Sequence, residues 1–237
     1  MERILKRHEV KYMITQEQYE EIKDVLSEKL ADDPFGDYLV QSIYFDTDNW
    51  DVIRTSIDKP IFKEKLRLRC YGMPNGDSKI FLELKKKFKG IVYKRGISFP
   101  ANELSEKKLS DIVSNNSSQI GRELAHYMGI NPVFEKAYIS YKRFAFEESG
   151  FRVTFDRNTH FRTQNLNFEN PEAGLDIFPA DRVLMEVKAV KGIPLWFTHI
   201  LSERQIYPIS FSKYGMSYTK YILGVEGNTA WKTLPVA

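Results

Sequence analysis

The stretch Lys63-Glu64-Lys65-Leu66-Arg67-Leu68-Arg69-Cys70-Tyr71, followed by Ser78-Lys79-Ile80-Phe81-Leu82-Glu83-Leu84-Lys85-Lys86-Lys87, decides the fold class. Successive side chains of a β-strand point to opposite faces. Lys65, Arg67 and Arg69 therefore share one face, and Leu66, Leu68 and Cys70 the other. In the second run Glu83, Lys85 and Lys87 lie opposite Leu82 and Leu84. Between the runs stands Gly72-Met73-Pro74-Asn75-Gly76-Asp77, whose Asn-Gly pair marks a hairpin. Both strands thus carry one apolar face and one charged, mostly cationic face.

The same alternation recurs outward along the chain. Glu186 and Lys188 lie opposite Val183, Met185 and Val187; Tyr141 pairs in parity with Arg143, and Arg152 with Thr154 and Asp156. Further strands are predicted over Val10–Ile14, Tyr38–Phe45 and Ile91–Phe99, with a second hairpin turning across Glu147–Gly150. Thr15 and Gln18 form a capping box for a helix from Glu17 to Leu30, and Asp46 or Thr47 caps a short helix over Asn49–Ile57. Helices are also expected over Glu103–Met128, broken at Ser114–Ser118, from Pro194 to Arg204, and in the Ser212–Leu223 tail. About eight strands with few helices between them make an antiparallel α+β protein, read as one domain over residues 1–237.

Composition bounds the function. Of 237 residues, 42% are hydrophobic and 28% charged, with 13 Gly and 10 Pro, so a globular chain with a real core is expected. The single cysteine, Cys70, excludes an internal disulfide framework and a multi-thiolate zinc site, and its apolar parity makes it a core residue. The four histidines are scattered. No apolar run approaches the roughly 20 residues that span a bilayer, and the basic start has no signal-peptide core, so a cytoplasmic location is expected. The net charge of +3 says less than its placement.

Cations on one face of most strands, with amphipathic helices available for the other, predict an eight-stranded antiparallel β-barrel tunnel: basic interior, helices packed outside. Crowded cations need an anion of high charge density. Polyphosphate or a nucleoside triphosphate fits, since Arg grips phosphate with two N–H groups and Lys adds compact charge. Glu9, Glu83 and Glu186 sit among the cations. Each either spaces them or, with phosphate oxygens, holds Mg²⁺ or Mn²⁺, Glu186 being the strongest candidate metal ligand.

In order along residues 3 to 224, the motifs Glu9-Val-Lys11-Tyr12, Ser42-Ile-Tyr-Phe-Asp46-Thr, Lys65-Leu-Arg67-Leu-Arg69, Glu83-Leu-Lys85-Lys86-Lys87, Val92-Tyr-Lys94-Arg95, Tyr141-Lys-Arg143-Phe-Ala-Phe, Arg152-Val-Thr-Phe-Asp156, Leu184-Met-Glu186-Val-Lys188 and Phe211-Ser212-Lys213-Tyr214 resemble the polyphosphate polymerase domain of the vacuolar transporter chaperone (VTC) family. That domain belongs to the CYTH-like, or triphosphate tunnel metalloenzyme, superfamily. The resemblance implies a metal-dependent phosphotransferase that makes polyphosphate by passing the ATP γ-phosphoryl group to a polyphosphate chain. It implies Arg67, Arg69, Lys85, Arg143 and Lys213 as catalytic residues. Lys11, Lys94, Tyr141, Arg152, Lys188 and Ser212 would bind substrate, and Glu186 would hold Mn²⁺ or Mg²⁺. ATP and polyphosphate are the implied partners, with a separate membrane partner for any coupled translocation; nucleic acid is not the expected ligand. Arg7 stands where the superfamily's ExExK signature has Glu, which fits the polymerase branch better than the hydrolase branch. Two alternatives stay open: a triphosphatase acting on inorganic or nucleoside triphosphate, and a noncatalytic module binding polyphosphate or nucleic acid.

Overall fold

The computed structural model describes residues 8–89 and 91–225. In chain order the elements are β1 (His8–Thr15), α1 (Gln16–Ser27), β2 (Tyr38–Asp46), α2 (Asp51–Ile57), β3 (Phe62–Tyr71), β4 (Lys79–Phe88), β5 (Ile91–Pro100), α3 (Ala101–Glu106), α4 (Leu109–Ser114), α5 (Gln119–Ile130), β6 (Phe134–Glu148), β7 (Phe151–Arg162), β8 (Leu175–Asp176), β9 (Arg182–Ala189), α6 (Leu195–Glu203) and α7 (Lys213–Ser217), closed by a π-helical turn, Tyr218–Ile222. Arg7 lies outside the described residues.

The protein is α+β, with a nine-stranded sheet in the order β1-β9-β7-β6-β2-β3-β4-β5 and β8 paired to β7. The order is open, and this corrects the expectation of a closed eight-stranded barrel. Its two end strands use their outer edges differently. On β1 the outer edge is taken by an irregular segment, the Ile209 N–H donating to the Lys11 carbonyl at 2.7 Å. β5 is an exposed end strand carrying Lys94 and Arg95, and charge on an edge discourages a further strand.

Contacts divide the chain into two compact units. Unit one holds described residues 8–38, 141–159 and 176–225; unit two holds 39–140 and 160–175.

In unit one β9 runs between β1 and β7, antiparallel to both. One face is apolar: Tyr12, Ile14, Val153, Phe155, Val183, Met185 and Val187 pack with Tyr19, Ile22 and Leu26 of α1 and Phe197 and Leu201 of α6. The expected capping box forms, with Thr15 Oγ1 accepting from Gln18 N at 3.1 Å and Gln18 Oε1 accepting from Thr15 N at 3.0 Å. The β6–β7 hairpin turns on two residues, Ser149 and Gly150, both at positive φ (50° and 82°), the geometry that matches the twist of paired strands.

In unit two β2, β3, β4 and β5 are consecutive antiparallel neighbours. Ile43, Leu66, Leu68, Cys70, Ile80, Leu82, Leu84 and Ile97 form the apolar face, covered by Ile112 and Val113 of α4 and Leu124 and Tyr127 of α5. Gly96 lets β5 close on β4: a Cβ there would lie 2.5 Å from the Leu82 carbonyl oxygen. Buried Asp46 caps α2 from a distance, its two carboxylate oxygens accepting from Val52 N at 2.9 Å and Ile53 N at 3.0 Å. The loop after β7 is gathered by Arg162, whose guanidinium stacks 3.6 Å from the Tyr138 ring centroid and donates to the carbonyls of Asn165, Asn167, Glu169, Asn170 and Ala173.

Candidate functional site

Strand register assembles the polar face of unit two in rows. Tyr44, Arg67 and Glu83 align across β2, β3 and β4; Ser42 aligns with Arg69; and Lys65, Lys85 and Lys94 align across β3, β4 and β5. Lys63 and Lys87 form the next row. Like charges directly opposite one another destabilise a sheet, so a row of three lysines beside two arginines calls for offsetting anions. Glu83 is the acid among them. Arg67 donates to it from Nε and Nη2, both at 2.9 Å, and Lys94 pairs with its other oxygen. Burial works against the Glu83 charge, but Arg67, Arg69 and Lys94 outweigh it and hold the carboxyl below its usual range. Arg69 donates to Ser42 Oγ at 3.3 Å and Arg67 to the Tyr44 hydroxyl at 3.3 Å. Burial would raise the Tyr44 phenol, yet Arg67, Arg69 and Lys65 bring it down to about 8.

Parity separates these cations from their neighbours. Lys86 and Arg95 point to the helix-covered face, where Lys86 meets Glu123 of α5 at 2.8 Å and Glu64 at 3.1 Å, and Arg95 meets Glu123 at 3.3 Å. Opposite parity to Lys85 and Lys94 sets them apart from that row; rather than being simply solvated, as parity alone suggests, they form ion pairs.

In unit one the rows are Glu9, Lys188 and Arg152, then Lys11, Glu186 and Thr154, across β1, β9 and β7. Lys11 Nζ lies 3.5 Å from both Glu9 and Glu186 and donates to the Phe211 carbonyl at 3.1 Å, while Lys188 meets Glu186 at 2.5 Å. Burial opposes the Glu186 charge; Lys188, Lys11 and Arg143 prevail and depress its pKa far below the ordinary carboxylate value. Buried Asp156 accepts two hydrogen bonds from Arg143, at 2.6 and 2.8 Å, and one from Lys213. Both cations also lie over the Tyr141 ring, Lys213 Nζ at 4.1 Å and the Arg143 guanidinium at 5.1 Å from its centroid. Arg152 is held by Glu147 at 2.7 Å, Asp33 at 2.9 Å and the Tyr38 hydroxyl at 3.4 Å. Ser212 caps α7, its Oγ accepting from Gly215 N at 3.2 Å.

Within unit one the sheet therefore brings Lys11, Glu186 and Lys188 together, and Tyr141, Arg143 and Lys213 gather about Asp156. Within unit two it brings Arg67, Arg69, Lys85 and Lys94 together. Ser212 and Arg152 have structural partners of their own. Two residues outside the sequence-based set belong to these clusters. Tyr44 shares parity with Ser42 within β2, a signal readable in Ser42-Ile43-Tyr44. Asp156 shares parity with Arg152 and Thr154, but its pairing with Arg143 depends on the hairpin register.

Among the described residues no three acidic, histidine or cysteine side chains gather as a metal cage. Glu186, with Glu9 on the same lysine, supplies two carboxylates in unit one. That donor set fits a hard cation that completes its shell with water and substrate phosphate oxygens.

The VTC domain family matches residues 6–222. The chain belongs to the VTC domain family. Among solved structures, this VTC domain is similar to a candidate adenylate cyclase of Bacillus halodurans, with TM-score 0.53 and 15% identity over 86% of this chain and 92% of that one. It is also similar to the PH1819 protein of Pyrococcus horikoshii (0.46, 16%, 92% and 99%) and to a candidate adenylate cyclase of Vibrio parahaemolyticus (0.47, 12%, 89% and 96%). The first likeness establishes fold alone. No curated protein matches the chain. No helix among the described residues is long and apolar enough to cross a membrane.

Proposed function

We propose that this VTC domain is a divalent-metal-dependent phosphotransferase that extends polyphosphate with the γ-phosphoryl group of ATP. The observation that carries the reading is the Lys65–Lys85–Lys94 row beside Arg67 and Arg69. A sheet that sets like charges in register is organised for a polyanion, and membership of the VTC family supports polyphosphate as that polyanion.

Phosphoryl transfer demands positioning and charge neutralisation more than covalent chemistry. The terminal phosphate of polyphosphate is already an anionic nucleophile, so the site needs no strong base. In this reading the guanidinium groups of Arg67 and Arg69 in unit two, and those of Arg143 and Arg152 in unit one, are phosphoryl-binding groups. Lys11, Lys85, Lys94, Lys188 and Lys213 guide the chain and offset charge that moves during transfer, with Tyr141 and Ser212 adding hydroxyl contacts. Glu83 orients Arg67 and Lys94, and Asp156 orients Arg143 and Lys213. Glu186 would hold Mn²⁺ or Mg²⁺, which when bound neutralises phosphate charge.

Purified protein incubated with ATP and Mn²⁺ should yield long polyanions on a stained gel. Arg67→Ala and Glu186→Ala should each abolish them with the fold intact, as read by circular dichroism. Normal polymer from either variant defeats the assignment. Phosphate release without polymer makes the protein a triphosphatase. Polyphosphate binding with no ATP consumption makes it a binding module.

A further inference from the structure

One end of the β3–β4–β5 ladder in unit two is built unlike the rest of the sheet. Phe62, Phe88 and Ile91 stand in one row across the three strands, and Lys63, Lys87 and Val92 in the next. The Lys89 N–H donates to the Ile61 carbonyl at 3.0 Å, tying the approach to β3 against the β4–β5 turn. The apolar side chains there are open to water: Ile61 is 67% exposed, Phe62 49%, Phe88 44% and Val92 45%. Adjacent rows point to opposite faces, so Phe62 and Phe88 lie side by side on the helix-covered side and Val92 on the other, and the exposed apolar side chains come together only at the end of the ladder; exposed single apolar residues are ordinary, but a cluster at one tip marks an interaction surface.

Lysines flank this end of the ladder. Lys59 and Lys89 are exposed, Lys89 Nζ lies 5.5 Å from the Phe88 ring centroid, and Lys63 donates to the Ser56 carbonyl at 2.9 Å. Burial first, then the nearby Lys87 and Lys59 charges, lower the Lys63 pKa, so these ammonium groups repel one another. Asp58 is the acidic neighbour before Lys59; Glu64 shares the side of Phe62 and Phe88, where it is paired with Lys86 at 3.1 Å.

We propose that this end of the ladder, with Phe62 and Phe88 on one side, Val92, Lys63 and Lys87 on the other and Ile61, Lys59 and Lys89 beside them, docks end-on on an anionic phospholipid surface. Lipid is the occupant that satisfies both chemistries. The apolar ends enter the boundary between headgroups and acyl chains, while the lysines stay at phosphate level on flexible stems. A free polyanion takes the lysines and leaves Ile61, Phe62 and Phe88 in water. A second copy of the chain, meeting through the same patch about a twofold axis, sets lysine against lysine.

The test is co-sedimentation of the full chain with vesicles of phosphatidylcholine alone or mixed with phosphatidylglycerol, at low and raised salt. Binding should require phosphatidylglycerol and weaken with salt. Ile61→Ser/Phe88→Ser should lower the bound fraction several-fold, with an unchanged thermal melt. Lys59→Glu/Lys89→Glu should abolish binding, whereas Lys107→Glu/Lys108→Glu, the same charge change elsewhere in unit two, should not. Tyr93→Ser, at a neighbouring exposed position, replaces the serine pair if that pair does not fold. Absent binding, equal binding to pure phosphatidylcholine, or equal loss in the Lys107/Lys108 control overturns the proposal. So does binding to the mixed vesicles that inorganic polyphosphate displaces and the serine pair leaves intact, or self-association that the serine pair removes.

Discussion

Lys85 of β4 stands in register with Lys65 of β3, and Lys94 of β5 stands on its other side. Like charges directly opposite one another weaken a sheet. Replacing Lys85 by Gln should therefore raise the denaturation midpoint slightly while weakening polyphosphate binding. A single preparation read by urea unfolding and by filter binding checks both signs. A variant that is less stable and binds normally would show that the row serves the fold.

Asp156 is the buried centre of the unit-one cluster, its side chain 1% exposed between Arg143 and Lys213. Removing one member of a buried ion pair costs about 3–5 kcal/mol, because the partner charge is left without compensation. Asp156→Asn should lose that much on chemical denaturation. Burial opposes the Asp156 charge, but Arg143 and Lys213 depress its pKa below the ordinary value. The stabilisation is therefore present above the ordinary aspartate range near about 3.9 and is lost as pH falls through the lower folded value. The acid limb of the wild-type stability profile should flatten in Asp156→Asn.

Tyr44 gives a pH signature at the other end of the scale. Its phenol, lowered to about 8 against an ordinary value of 10.0, ionises more readily folded than unfolded. Stability contributed by Tyr44 should grow as pH rises between those values and vanish as pH falls through about 8. The difference between wild type and Tyr44→Phe in denaturation profiles isolates it. In Arg67→Gln the phenolate absorbance of Tyr44 should titrate at higher pH, since the guanidinium is the foremost cause of the lowering.

On the proposed reading, Glu186 is the residue at which chain binding and metal use can be told apart. Glu186→Gln removes the anion that neutralises Lys11 and Lys188. In metal-free solution this variant should bind polyphosphate as tightly as wild type or tighter, while losing the stimulation of turnover by Mn²⁺. Weaker metal-free binding would mean that Glu186 acts by positioning the two lysines.

Much of this was legible in the sequence because parity is local. Lys65, Arg67 and Arg69 alternate with Leu66, Leu68 and Cys70, and the structure keeps each set on its face. Thr15 and Gln18 announced the start of α1 for the same reason, since a cap joins residues three apart. What failed depends on longer range. Alternation shows that a face is polar without showing whether the sheet's ends meet, and the outer edge of β1 is occupied by the segment at Ile209. The Glu147–Gly150 loop is in fact a two-residue turn. Glu147 stands two residues before Ser149 and Arg152 two after Gly150; Arg143 stands six before and Asp156 six after. Both ion pairs follow from that turn, whose positive φ angles a four-residue reading does not supply.

The loop gathered by Arg162 has a consequence for durability. Five peptide carbonyls around one guanidinium make the order of Asn165 to Ala173 hinge on a single side chain. A shorter cation that cannot fan its donors over that arc should leave the peptide bonds open to nicking, so the lifetime of the molecule among proteases should depend on a residue outside the proposed phosphate-binding set.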